Sequence, residues 1–146
     1  NRAGFTREYG EKASPEFHYE IDPPGEIDLS EVDLRLIFEI RPVDEIESSD
    51  IPEDGLTEMV DWDKVERSLV IRTRNDGDRF VPLGMTGSKK LKDFFIDAKV
   101  PLEERDSTPL VCDSRGIVWV VGHRMDDRYK LDDSTKNVLI MKARDL

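Results

Sequence analysis

The sequence has a single cysteine, Cys112, so no disulfide can form within it, and a lone thiol fits a reducing compartment. Its strand-like surroundings make Cys112 a small buried hydrophobe rather than a reactive group. Two histidines, His18 and His123, lie 105 positions apart with no Cys/His cluster near either, which leaves a zinc site without ligands. No apolar run approaches the ~18–20 residues of a membrane span, and no leader pattern opens the chain. Aromatic residues make up only 8% of the chain, and Trp62 and Trp119 are expected in the core or at its rim rather than as stacking platforms.

Motifs for chemistry are missing too. "GMTGSKK" is a poor phosphate loop: two residues instead of four separate its glycines, and Ser precedes Lys. Asp76, Asp78, Asp126, Asp127, Asp132 and Asp133 lack calcium-loop spacing and are expected in turns and on the surface. No nucleophile–base grouping is visible, so catalytic residues, metal and cofactor are all expected to be absent from this stretch. The opening "NRAGFTREYG" offers no helix or strand entry and is expected to follow from a longer protein.

What is present is charge. Asp, Glu, Lys and Arg make up 38% of 146 residues against 37% hydrophobic, enough for one ordinary domain with a large polar surface. The net charge of −11 hides an asymmetry. Residues 1–66 hold 6 Lys/Arg and 20 Asp/Glu, a balance of −14, whereas 67–146 hold 16 and 13, a balance of +3. Between 67 and 92 there are seven basic and two acidic residues. An acidic surface joined to a polyanion-binding one gives such a pattern.

Period-two alternation predicts strands at "FHYEID" (17–22), "LRLIFEIRP" (34–42) and "SLVIRTR" (68–74). "PLVCD" and "GIVWVVG" around Ser114-Arg115-Gly116 predict a hairpin, and "NVLIMKA" (137–143) a closing strand. The acidic run "VDEIESSDIPEDG" reads as a solvated loop. Leu91, Phe94, Phe95 and Ala98 form a helical stripe, predicting one main helix over about 88–99. A short helix should follow from Pro101, with Glu103 and Glu104 favourably placed in its first turn. The predicted class is α+β: a mostly antiparallel sheet with both helices on one face.

The main helix poses a problem. It opens with Lys89, Lys90 and Lys92, and cations at a helix N-terminus are unfavourable by roughly 0.3–1 kcal/mol each. Ser88 could cap it, but Leu91 stands where a capping box needs Glu or Gln. Lysines beside free amides make an anion site, phosphate above all; otherwise they solvate an exposed face. Arg72 and Arg74 share a strand face and could track successive phosphates, or else pair with carboxylates across the sheet. Arg79 follows the turn, and Asp78 suits orienting an arginine.

These residues carry a resemblance. Arg72 and Arg74; Gly77, Asp78 and Arg79; Gly84 with Lys89, Lys90, Leu91 and Lys92; Arg105, Asp106 and Pro109; and Gly122 match the pattern of the C-terminal domain of bacterial tRNA(Ile)-lysidine synthetases. The resemblance covers about 61–142 and implies a domain over 61–146; the acidic segment 1–60 is less similar, either strands of the same domain or a connector. It implies a cytoplasmic ATP-dependent ligase joining lysine to the wobble cytidine of an isoleucine tRNA. Its ATP and magnesium would be held by an N-terminal domain whose Ser-Gly-Gly-x-Asp-Ser loop is not in this sequence. The implied role here is to grip the tRNA body through phosphates, with Arg72, Arg74, Arg79, Lys89, Lys90, Lys92 and Arg105 as contacts and Asp78 and Ser88 supporting them. A homodimer is compatible with this. A module that binds another protein through the acidic half is the competing reading; a free-standing enzyme has no residues to support it.

Overall fold

The structure, a computed structural model, describes residues 16–47 and 54–146. The start of the chain and the middle of the acidic run at 48–53, expected as a solvated loop, lie outside the described residues.

Among the described residues, eleven strands and two α-helices are arranged in three layers. Strands β1 (His18–Ile21), β5 (Leu69–Arg72), β8 (Leu110–Asp113), β9 (Gly116–Val120) and β10 (Arg124–Met125) form one sheet in the order β1-β5-β8-β9-β10. Strands β2 (Gly25–Leu29), β3 (Leu34–Pro42), β4 (Thr57–Asp61) and β11 (Asn137–Asp145) form a second, ordered β2-β3-β11-β4. Every pairing is antiparallel. Helix α1 (Leu91–Asp97) lies on the far side of the five-stranded sheet, and α2 (Leu102–Arg105) follows it.

Alternation explains the layering. On β3, Leu36 and Phe38 are buried while Arg35 and Arg41 are exposed, as the sequence predicts. They meet Leu69 and Ile71 of β5, Trp119 of β9, and Leu139 and Met141 of β11 in a core between the sheets. The opposite residues of the five-stranded sheet, Leu110, Cys112, Ile117 and Val120, pack against Leu91, Phe94 and Phe95 of α1. Strand β9 serves both layers although Val118 and Trp119 are consecutive and both face the inter-sheet core. The pairing Val111↔Trp119 followed by Cys112↔Ile117 leaves Val118 as an extra residue, and this bulge resets the alternation.

The second sheet was not foreseen. One sheet with helices on one face was expected; the acidic half instead supplies three strands that cover the other face of the first sheet. Strand β4 escapes period-two reading because Val60 enters the inter-sheet core while Met59 enters an outer cluster with Val138 and Ile140. Each face of this strand thus carries a single apolar residue among polar ones. Gly55 and Gly122 join the layers: a Cβ on Gly55 would stand 2.6 Å from the Gly122 carbonyl oxygen, and its φ of +75° is left-handed. Only glycine fits there.

The helices also differ in detail from expectation. α1 starts at Leu91 rather than 88 and ends at Asp97, and Ala98 of the expected stripe is exposed. Its end is not set by Pro101 but by a Schellman motif: Val100 N–H donates to the Phe95 carbonyl and Lys99 N–H to that of Ile96, each at 3.0 Å. Lys99 holds the left-handed position usually given to glycine, with φ +58°. α2 buries none of its residues, so it flanks the domain without packing an apolar face on it. Among the described residues, no helix is long and apolar enough to cross a membrane.

Candidate nucleic-acid interface

Leu69 and Ile71 commit one face of β5 to the inter-sheet core, which turns Arg72 toward the side of α1. The chain then turns at Asn75-Asp76-Gly77. Asp78 N–H donates to the Asn75 carbonyl at 3.2 Å, and the Asp78 carboxylate accepts the Asn75 N–H at 2.7 Å. Gly77, with φ +86°, supplies the left-handed step. The turn brings Asp78 back onto Arg72, whose guanidinium donates to both carboxylate oxygens at 3.0 Å. With side chains only 19% and 13% exposed, this is a fixed pair. Burial pulls the Arg72 pKa down, but the bond to Asp78 and nearby negative charge outweigh it and hold it above its ordinary value.

Arg74 is held by Asp106, its Nε donating to Oδ1 at 2.7 Å, with its guanidinium 5.7 Å from the Phe95 ring centre. Arg105 donates to the Val100 carbonyl at 2.9 Å. Neither Asp106 nor Arg105 is placed by periodicity; α2, too short for a stripe, delivers both.

The lysine segment corrects the expectation of a helix opening at Ser88. Lys89 and Lys90 form β7, paired with β6 (Arg79–Phe80), and Leu91 N–H donates to the Asp78 carbonyl. Lys90 occupies the N-cap in extended backbone, with no side-chain cap bond. Ser88 caps nothing: its hydroxyl accepts from Arg79 Nε at 2.8 Å. Ladder pairing decides the backbone before the helix begins. Only Lys92 therefore stands inside the first turn, beside Asp93. Lys89 is joined to Asp97 across the helix, an ion pair rather than a free cation.

A different electrostatic conflict replaces the predicted one. Arg79 and Lys90 are direct cross-strand partners, and like charges directly opposite are destabilising. Lys90 and Lys92 have no partner among the described residues. Arg74, Lys90, Lys92 and Arg105 bring four cations to one cleft of about 470 Å³, with the Asn75–Asp78 turn along it. Arg72, Arg79 and Lys89 do not line it. The sequence-predicted set thus divides into a cleft group, a neutralised pair (Arg72–Asp78), an engaged lysine (Lys89) and a flanking arginine (Arg79).

Two aspartates passed over as surface residues secure this region. Asp126, fully buried, accepts the Val81 N–H at 2.9 Å and both Nε and a terminal nitrogen of Arg128. Asp127 accepts the Gly84 N–H at 3.0 Å. Together they pin the loop from β6 to β7. The adjacency of Asp126 and Asp127 was the only signal, and a common one. Cys112 lies beneath, its thiol pushed up to about 11 by burial, which leaves it protonated and unreactive.

The profile of the TilS substrate C-terminal domain matches residues 69–141. The chain belongs to this family. The match is narrower than the 61–142 resemblance, starting where β5 starts. The chain is 47% identical over 105 residues to a tRNA(Ile)-lysidine synthase of Caldanaerobacter subterraneus subsp. tengcongensis, covering 72% of this chain and 22% of the relative. It is 39% identical over 117 residues to one of Clostridium tetani, covering 80% and 25%. The chain thus spans about a quarter of the length of these curated relatives. A crystal structure of a TilS C-terminal domain superposes with TM-score 0.75 at 29% identity, over 90% of this chain and 98% of that one. An N-terminal fragment of the phenylalanyl-tRNA synthetase β-subunit of Pyrococcus horikoshii (TM-score 0.52, 19% identity, 60% of this chain and 27% of that one) shares the fold alone.

Proposed function

We propose that this TilS C-terminal domain binds an isoleucine tRNA for an ATP-dependent ligase that attaches lysine to its wobble cytidine. The cleft cations would meet the tRNA's backbone phosphates. The observation that carries this reading is the cation cluster: Lys90 and Lys92 unpartnered among the described residues, Arg79 set against Lys90, and Arg74 and Arg105 on the same cleft. A protein gains nothing in stability from such a grouping, but a polyanion does bind to it.

Phosphate contacts fix register and orientation without reading sequence, and an A-form stem presents mainly backbone and 2′-hydroxyls. The domain would accordingly position the tRNA body and leave base selection and chemistry to the part of the enzyme outside this chain. Lysine, ATP and magnesium are assigned to that part. Within the chain, Asp78 fixes Arg72 and Asp106 fixes Arg74, so the arginines next to the cleft are pre-oriented.

Titrating tRNA against the chain at two salt concentrations tests the reading. Each phosphate neutralised contributes a slope of about −0.7 to −0.9 in log K against log salt. Four cleft cations predict a slope near −3 if each meets one phosphate. Binding with no salt dependence, or none at low salt, would overturn it and return the acidic half as the surface to test against protein partners. ATP turnover by the chain alone would overturn the division of labour.

A further inference from the structure

The cleft contains one group that phosphate binding does not explain. Asp76 lines it, exposed, with no partner among the described residues, while the neighbouring carboxylates are committed: Asp78 to Arg72, and Asp106 to Arg74. A carboxylate accepts hydrogen bonds and cannot face a phosphate. Its place on the cleft that Arg74, Lys90, Lys92 and Arg105 also line therefore calls for a donor on whatever fills the cleft. On a nucleic-acid backbone the donor is the ribose 2′-hydroxyl, one per nucleotide in RNA and none in DNA.

We propose that Asp76 accepts a hydrogen bond from a ribose 2′-hydroxyl and so makes the cleft specific for RNA over DNA. This rests on the RNA-binding reading above. The local geometry favours it. The hydrogen bonds of the turn use the Asn75 and Asp78 backbone and the Asp78 carboxylate, leaving the Asp76 side chain free of the turn's own needs. Apart from its two chain neighbours, nothing among the described residues stands within 4 Å of where a Gly77 side chain would begin, so a sugar can approach the backbone there. The cations of the same cleft would hold backbone phosphates while Asp76 meets a sugar.

Three hairpins of one sequence separate the possibilities: RNA, DNA, and RNA with 2′-O-methyl groups, which keeps A-form shape but removes the donor. Binding of each to the wild-type chain, Asp76→Ala and Asp76→Asn would be followed by fluorescence anisotropy at low salt. Wild type should prefer RNA to its 2′-O-methyl form by about tenfold, the scale of one hydrogen bond to a charged acceptor. Asp76→Ala should bind DNA and methylated RNA more tightly, having lost a negative charge, and its preference for RNA should collapse toward one. Asp76→Asn keeps an acceptor and should retain part of the preference. Equal tightening on all three hairpins, with the ratios unchanged, would overturn the proposal and make Asp76 a repulsive rim charge. No preference in wild type would overturn it as well. Failure of every hairpin to bind would refute the RNA-binding reading itself.

Discussion

Replacing Lys90 and Lys92 with Glu should separate stability from binding. Both lysines are exposed, unpartnered among the described residues and near the start of α1. Lys90 faces Arg79 across the β6–β7 pair, so glutamate there turns a repulsive cross-strand pair into an attractive one, a change of about 0.5–1 kcal/mol. At position 92 a carboxylate in the first turn gains about 0.3–1 kcal/mol from the helix dipole. Together the changes should raise stability by about 1–2 kcal/mol, or a few degrees in melting temperature for a chain of this size. They should also remove two cleft cations and flatten the salt dependence of tRNA binding by about 1.5 units in slope. Lys89 is unsuited to the test, because Lys89→Glu would set two carboxylates together at Asp97. Calorimetry and tRNA titration on the same double variant decide the matter. A variant that melts well below wild type would mean these lysines support the fold. Unchanged tRNA affinity would remove the cleft from the interface.

Phe95→Ala, which empties a fully buried site between α1 and the five-stranded sheet, should cost about 3–5 kcal/mol in denaturant unfolding. Lys99→Gly should stabilise by about 0.5–1 kcal/mol, because Gly relieves the left-handed backbone that closes α1; a loss would show that the side chain contributes more than the strain. Burial raises the Glu58 pKa to about 6, so the folded state disfavours its charge and stability falls as pH rises from about 4.5 through 6. Glu58→Gln should therefore stabilise at pH 7, by about 1 kcal/mol after allowance for solvent screening, and have no effect below pH 4; a gain independent of pH would rule out titration as its source.

Strands with one polar face were legible in the sequence, and β3 spans the same residues as its alternation, Leu34–Pro42. Strand β4 was not, because its two apolar residues, Met59 and Val60, serve two different clusters and leave no period. The two-residue strands β6 and β7 are too short for any pattern, yet their pairing moves Lys89 and Lys90 out of the helix. The basic segment could be found by counting charges. Its division could not: whether an arginine is free or clamped depends on Asp78 six residues from Arg72, and on Asp106 thirty-two residues from Arg74.

The order of the four-stranded sheet has a consequence during synthesis. β11 lies between β3 and β4, and its partners on β3 are about a hundred residues earlier. As the chain leaves the ribosome, β4 has no neighbour in its sheet and β3 is covered only by β2. Some 75 residues separate the end of β4 from the start of β11, which at 5–20 residues per second is a wait of about 4–15 s. Throughout it the two edges that β11 will later join are bare, the condition in which nascent sheets join their neighbours on a polysome. Arg35, Glu39 and Arg41 line one face of the waiting β3, and charged side chains on an open edge discourage that pairing. Part of this half's polarity thus protects a sheet whose last strand has not yet been made.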